Sequence, residues 1–296
     1  MENKKQFKVL SINGGGMRGV IATHYLAQIE EITGKPIHQL FDLIIGTSTG
    51  GILACGVGAN IRSIKEIQTL YRTEGRNIFK KNILSLITSK YQIKGLKDTM
   101  NKYFESFKMR DCLTKVIVTA RDVLGNENMI IKSYGHYEDM YIKDAVSATS
   151  AAPRYFPPYP IDYDNKRYIT WDGGVYANNP SLIAQAEANK LGYSDDEILM
   201  VTIGTGKSKS KQNDITNPNL LKLIDILIPQ MLDSQTELVE YVNQLSIKNY
   251  YNFNLEIPKE IADMDKYEFV SQWEELAKKQ VKLDNSRIEE LCLKLI

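Results

Sequence analysis

The sequence predicts an α/β fold with a central, mainly parallel sheet flanked by helices. Short β-branched and aliphatic runs recur near residues 7–12, 41–45, 113–120 and 197–203, and they read as strands. Three of them empty into glycine-bearing turns, at Gly14, Gly46 and Gly204. Strand, glycine loop, helix and second strand all fall within the first 46 residues, a βαβ unit that sets parallel pairing.

Taken in order, residues 7–12 form the first strand and Gly14, Gly15, Gly16 and Gly19 lie in the loop behind it. Val20, Tyr25, Leu26, Ile29 and Ile32 keep a helical period until Gly34 and Pro36 stop it. The second strand runs into Gly46-Thr47-Ser48-Thr49-Gly50, which opens the apolar helix beginning at Gly51. From Ile61 the chain is mostly helical. Residues 80–90 are apolar in the middle and basic at the ends, which predicts a surface helix with its apolar side on the core. Contact with an anionic lipid interface is the second reading of that piece. Strands follow at 113–120 and, after the Gly125-Asn126 turn, at 129–134. A small-residue helix from Lys143 ends before Pro153. A strand at 168–171 leads into Asp172-Gly173-Gly174, a helix starts at Ser181, and the 197–203 strand ends in glycines. Beyond lie a polar loop at 207–214, an amphipathic stretch from Leu220 to Leu245 broken or kinked at Pro229, a strand at 250–257 and a charged helical end from Tyr267.

The length of 296 residues, without internal repeat or linker, predicts one domain over 1–296. Its motifs lie within 7–206, and 207–296 complete it with helices and a strand. Lys and Arg number 37 against 36 Asp and Glu, so no global field points to a nucleic-acid polymer. Cys55, Cys112 and Cys292 are isolated, which argues against a zinc site or a disulfide framework and fits a reducing, cytoplasmic setting. No signal-peptide h-region is apparent, and no run reaches the ~18 apolar residues of a membrane span.

The motif G-x-S-x-G at Gly46, Ser48 and Gly50, between a strand and a helix, fits a nucleophile elbow with Ser48 as nucleophile. Such a serine needs a base and oxyanion donors. His24, His38 and His136 are the only histidines, and His136 lies in a polar tract that reads as surface loop. The alternative base is Asp172, at a strand end before two glycines. A desolvated carboxylate with a raised pKa can serve that role, although Asp-Gly-Gly is also an ordinary turn. Backbone N–H groups of Gly14, Gly15 and Gly16 can converge on an oxyanion, with Arg18 beside them. The same glycines fit a dinucleotide fingerprint, but the second strand ends in the Ser48 turn where that reading needs an acid.

Together, the 13–19 glycine loop, Gly46-Thr-Ser48-Thr-Gly50, the 146–157 segment, Asp172-Gly173-Gly174 through Pro180, and the 202–206 strand end resemble the patatin-like phospholipase family. The resemblance covers about residues 7–206 and continues weakly around Met264-Asp265 to the end. It implies a three-layer fold and a lipid acyl hydrolase of the phospholipase A or lysophospholipase type, working through a Ser–Asp dyad without metal or cofactor. Carried over, Ser48 is the nucleophile, Asp172 the base, and Gly14, Gly15 and Gly16 the oxyanion hole supported by Arg18. Gly19, Gly46, Gly50, Gly173 and Gly174 support these motifs. The implied partners are phospholipid at a membrane surface and a cyclic nucleotide activator as in bacterial antiviral effectors of the family; a homo-oligomer is a further partner considered, although the oligomeric state is not written in the sequence. The branch it resembles is bacterial and cytosolic, in peripheral contact with the inner membrane face. An acyltransferase of the same fold and a non-catalytic lipid- or nucleotide-binding module are the rival readings.

Overall fold

The computed structural model describes residues 6–85, 88–208 and 219–296. The strands are β1 (Phe7–Ile12), β2 (Leu43–Gly46), β3 (Lys115–Asp122), β4 (Glu127–Lys132), β5 (Tyr159–Tyr163), β6 (Lys166–Asp172), β7 (Ile198–Ile203) and β8 (Asn249–Phe253). The helices are α1 (Gly19–Thr33), α2 (Ile37–Leu40), α3 (Thr49–Gly58), α4 (Ile64–Thr73), α5 (Gly75–Ile78), α6 (Ile93–Phe104), α7 (Ile142–Thr149), α8 (Gly174–Ala177), α9 (Ser181–Lys190), α10 (Leu220–Ser246), α11 (Val270–Leu283) and α12 (Asn285–Leu295).

The strands form one sheet in the order β5-β6-β3-β2-β1-β7-β8, with β4 paired to β3. Pairing is parallel from β3 through β2, β1 and β7 to β8, and antiparallel among β3, β4, β5 and β6. Alternation along the central strands splits the core in two. Leu10, Ile12, Ile44, Val116, Val118, Leu199 and Val201 join the larger cluster with α1, α3, α4 and α11. Phe7, Val9, Leu43, Ile45, Ile117 and Met200 face the other way and pack on Ala184 and Ala188 of α9. Apolar residues on both faces of β1, β2 and β7 are what a helix-covered parallel sheet requires. The result is the predicted three-layer α/β arrangement.

One feature of the sheet positions the site. β4 occupies one edge of β3 along its residues 117–122. β2 therefore uses the opposite edge, where Gly46 faces Val118. β6 takes over that same edge two residues on, where Asp172 faces Ala120. Where β2 turns away into the Ser48 corner, β6 delivers Asp172.

Several boundaries differ from expectation. The 80–90 piece holds no helix among its described residues. Its ends are tied to each other by Asn82 N–H to Lys90 O (3.0 Å) and Gln92 N–H to Lys80 O (3.0 Å), and to the 154–155 backbone by Lys90 and Tyr91 N–H (both 2.8 Å). These bonds close a loop and compete with helical ones. Pro229 does not break α10, which is continuous and capped by Asn219 accepting from Lys222 N–H (2.9 Å). Buried Thr236, Glu240 and Asn243 anchor its later turns. The 250–257 strand is shorter, Asn249–Phe253, because the chain turns away at Asn254, whose side chain accepts from Gly206 N–H (2.8 Å). The helical end is two helices, α11 and α12, divided at Asp284. The expected 207–214 loop lies outside the described residues from 209 on. No helix among the described residues is long and apolar enough to cross a membrane.

The C-terminal part is bound into the core through Trp273, which is fully buried and donates from Nε1 to Ile261 O (2.8 Å). Trp273→Ala should lower unfolding free energy by about 3–5 kcal/mol. Trp273→Phe should recover most of that in the same denaturant titration. An unchanged midpoint for the alanine variant would contradict this packing.

Candidate active site

Ser48 stands at the β2–α3 corner with φ 56° and ψ −124°, a conformation that costs a non-glycine residue about 1–3 kcal/mol. The corner holds because its neighbours have no side chains to accommodate. A Cβ on Gly46 would lie 2.0 Å from Gly50 O, and one on Gly50 would lie 2.1 Å from Ile12 O. Ser48 N–H donates to Thr149 Oγ1 at the end of α7 (2.9 Å). Thr47 Oγ1 lies 2.7 Å from Thr119 Oγ1 of β3 and donates to Ala177 O of α8 (2.6 Å). The serine corner, β3 and the turn after Asp172 are thereby locked to one another.

Asp172 is buried, and its Oδ1 accepts from Gly174 N–H (2.7 Å). Burial pushes its carboxyl up from 3.8 to about 7, while the Gly174 N–H and the Ser48 hydroxyl nearby pull the other way. Desolvation wins because these two donors compensate only part of the lost hydration. At neutral pH this carboxylate is balanced between accepting and releasing a proton.

Both residues line an apolar cavity walled by Met17, Ile52, Leu70, Phe79 and Phe156, with Ile228, Met231 and Leu232 of α10 across from them. Gly15 and Gly16 also line it, and their N–H groups have no partner among the described residues. Gly14 does not line it, and its N–H is donated to Asn178 O (3.0 Å). The loop is held from behind by Thr205 Oγ1 donating to Gly14 O (2.7 Å) and Met17 N–H donating to Met264 O (2.8 Å). Arg18 lies outside the cavity wall, its Nη1 donating to Ala262 O (3.2 Å). Gly19 is needed for contact, since a Cβ there would meet Thr49 Oγ1 at 2.2 Å. Gly173 packs on Thr119 in the same way.

Ser48, Asp172, Gly15 and Gly16 are thus brought together, while Gly14 and Arg18 stand behind them. None of the three histidines lines the cavity. His136 is exposed, 4.0 Å from Asp164. Sequence reasoning did not assign Thr47, Thr119, Thr149 or Asn178 a role. Thr47 and Thr149 sit inside the quoted motifs, but threonine carries no signal until its partner is placed. The α10 wall had only its apolar stripe to announce it.

A family model described as patatin-like phospholipase matches residues 10–184, more than half of the chain. The calcium-independent phospholipase A2-gamma of Rattus norvegicus is 30% identical over 272 residues, which cover 83% of this chain and 34% of that protein. A cGAMP-activated phospholipase of Pseudomonas aeruginosa (strain BWHPSA011 / Pa011) is 34% identical over 212 residues, covering 67% and 62%. Among solved structures, VipD from Legionella pneumophila aligns with a TM-score of 0.45 at 14% identity, covering 92% of this chain and 67% of that one. The chain spans about a third of the length of the first of these relatives.

Because the carboxyl of Asp172 is raised on folding, the folded state holds its proton more tightly than the unfolded state does. Its ionisation is harmless below about pH 4 and destabilises the fold increasingly as pH rises to about 7. Asp172→Asn should therefore melt higher than the parent at pH 8, by up to about 4 kcal/mol for about three pH units, and equally at about pH 4. A variant no more stable at pH 8 would count against a desolvated carboxylate.

Proposed function

Since the chain belongs to the patatin-like phospholipase family, we propose that it hydrolyses carboxylic esters of membrane lipids, as a phospholipase A or lysophospholipase, through a Ser48–Asp172 dyad. The observation that carries this reading is a strained serine and a buried carboxyl, raised to about 7 by desolvation, together on the wall of one apolar cavity. The cavity takes the acyl chain. Ser48 Oγ attacks the ester carbonyl as its proton passes to Asp172, and the N–H groups of Gly15 and Gly16 stabilise the oxyanion. Collapse expels the lysolipid alkoxide, which takes the proton from Asp172. Water, deprotonated by Asp172, then releases the fatty acid and restores Ser48. Arg18 and Gly14 act through the loop, fixing its course. The family model covers 10–184, and the remaining chain completes the same unit by supplying β8, the α10 cavity wall and the Met264 support.

Two relatives are cGAMP-activated phospholipases, in Pseudomonas aeruginosa and Escherichia coli (strain TW11681). This supports extending to the present chain an activation by cyclic nucleotides; peripheral contact with the inner membrane face and a part in antiviral defence complete the proposal from the family resemblance. A panel of cyclic dinucleotides added to the lipase assay tests the activator, and full activity without any of them would remove it.

Mass spectrometry of products from mixed phospholipid vesicles tests the chemistry. Ser48→Ala and Asp172→Asn should each cut fatty-acid release by about 10³-fold or more. The parent's activity should rise through about pH 7 as Asp172 ionises. Equal release by the Asp172→Asn protein would overturn the dyad.

A further inference from the structure

We propose that the loop carrying Ile83 and Leu84, together with the first half of α10, forms one docking face for an anionic lipid bilayer, centred on the cavity mouth. The proposal rests on the lipid-hydrolase reading and specifies how the cavity meets its substrate. Ile83 is 94% exposed and Leu84 58%, at the tip of the turn that follows Asn82. On α10, exposed Leu220, Leu223, Leu227 and Met231 fall at i, i+3, i+7 and i+11, a single apolar stripe toward solvent. Met231 belongs at once to this stripe and to the cavity wall.

Arg154 joins the two pieces. Its Nε donates to Asp225 Oδ1 of α10 (3.0 Å), and its Nη1 donates to Ser85 O beside the tip (3.0 Å). It does so from a left-handed backbone, φ 72°, between Pro153 and Tyr155, which both line the cavity. Tip, stripe and mouth are therefore parts of one surface.

The charge around this surface selects the partner. Next to the tip, Arg76, Lys80, Lys81 and Lys266 surround a second pocket floored by Phe79 and Tyr91. These four cations have no ion pair among the described residues. The acids in that pocket are Glu268 and Asp265, and Asp265 is engaged by Lys90 and by Tyr91 Oη (2.7 Å). Apolar side chains that insert, flanked by cations that meet phosphates, match an anionic bilayer.

Vesicle flotation of the full chain tests this, using phosphatidylcholine with or without about 30 mol% phosphatidylglycerol. The parent should bind the anionic vesicles. Ile83→Asp with Leu84→Asp should weaken that binding at least about tenfold. Lys80→Glu with Lys81→Glu should weaken it strongly at low salt and little at high salt. Equal binding by parent and tip variant, or a parent indifferent to anionic vesicles, would overturn the face. So would a parent dimer that the tip substitutions dissolve, since the occupant would then be a second copy. Turnover of a soluble short-chain ester by parent and Ser48→Ala reports the chemistry separately. Its absence in the parent would sink the hydrolase reading whatever the vesicles show.

Discussion

The arrangement depends on how one edge of β3 is shared. β4 holds one side of that strand, so β2 and β6 must divide the other. Their meeting point is where Gly46 hands over to Asp172, two residues apart on β3. A serine and a carboxylate separated by more than a hundred residues are thereby neighbours through backbone pairing, before any side chain is considered. The glycine loop of β1 lies on the other side of β2, at the same end of the sheet. Sites of open α/β sheets gather at the carboxyl ends of the strands for this reason.

What the pairing brings together is unfavourable in isolation. Ser48 is held out of an easy backbone conformation, and Asp172 is stripped of water. The surroundings offset this through contacts that make no chemistry of their own. Thr47, Thr119 and Thr149 lock the corner, Gly46 and Gly50 let backbones touch, and Thr205 and Met264 brace the glycine loop. Strain of this kind persists where neighbouring structure over-determines it.

The sequence made legible what is encoded locally. Ser48, the glycine loop and Asp172 each sit at a strand end marked by glycines, and the continuous apolar runs of β1, β2 and β7 announced a sheet covered on both faces. Legibility failed where a distant partner decides. Residues 80–90 have the composition of an amphipathic helix, yet bonds to the 154–155 backbone close them into a loop with Ile83 outside. Pro229 reads as a helix breaker, but packing further along α10 outweighs the one lost bond. The division of labour within the loop, with Gly15 and Gly16 forward and Gly14 behind, hangs on Asn178, whose carbonyl takes the Gly14 N–H.

The backbone contact between Gly46 and Gly50 also shapes how such a chain can decay. Any side chain at either position collides with main-chain atoms that cannot retreat, so the corner is an architectural necessity before it is a reactive one. The serine carries no such obligation. A lineage released from selection for chemistry would shed the hydroxyl long before the glycines. The outcome would be inert descendants with the apolar cavity intact, already suited to a second career as carriers or sensors.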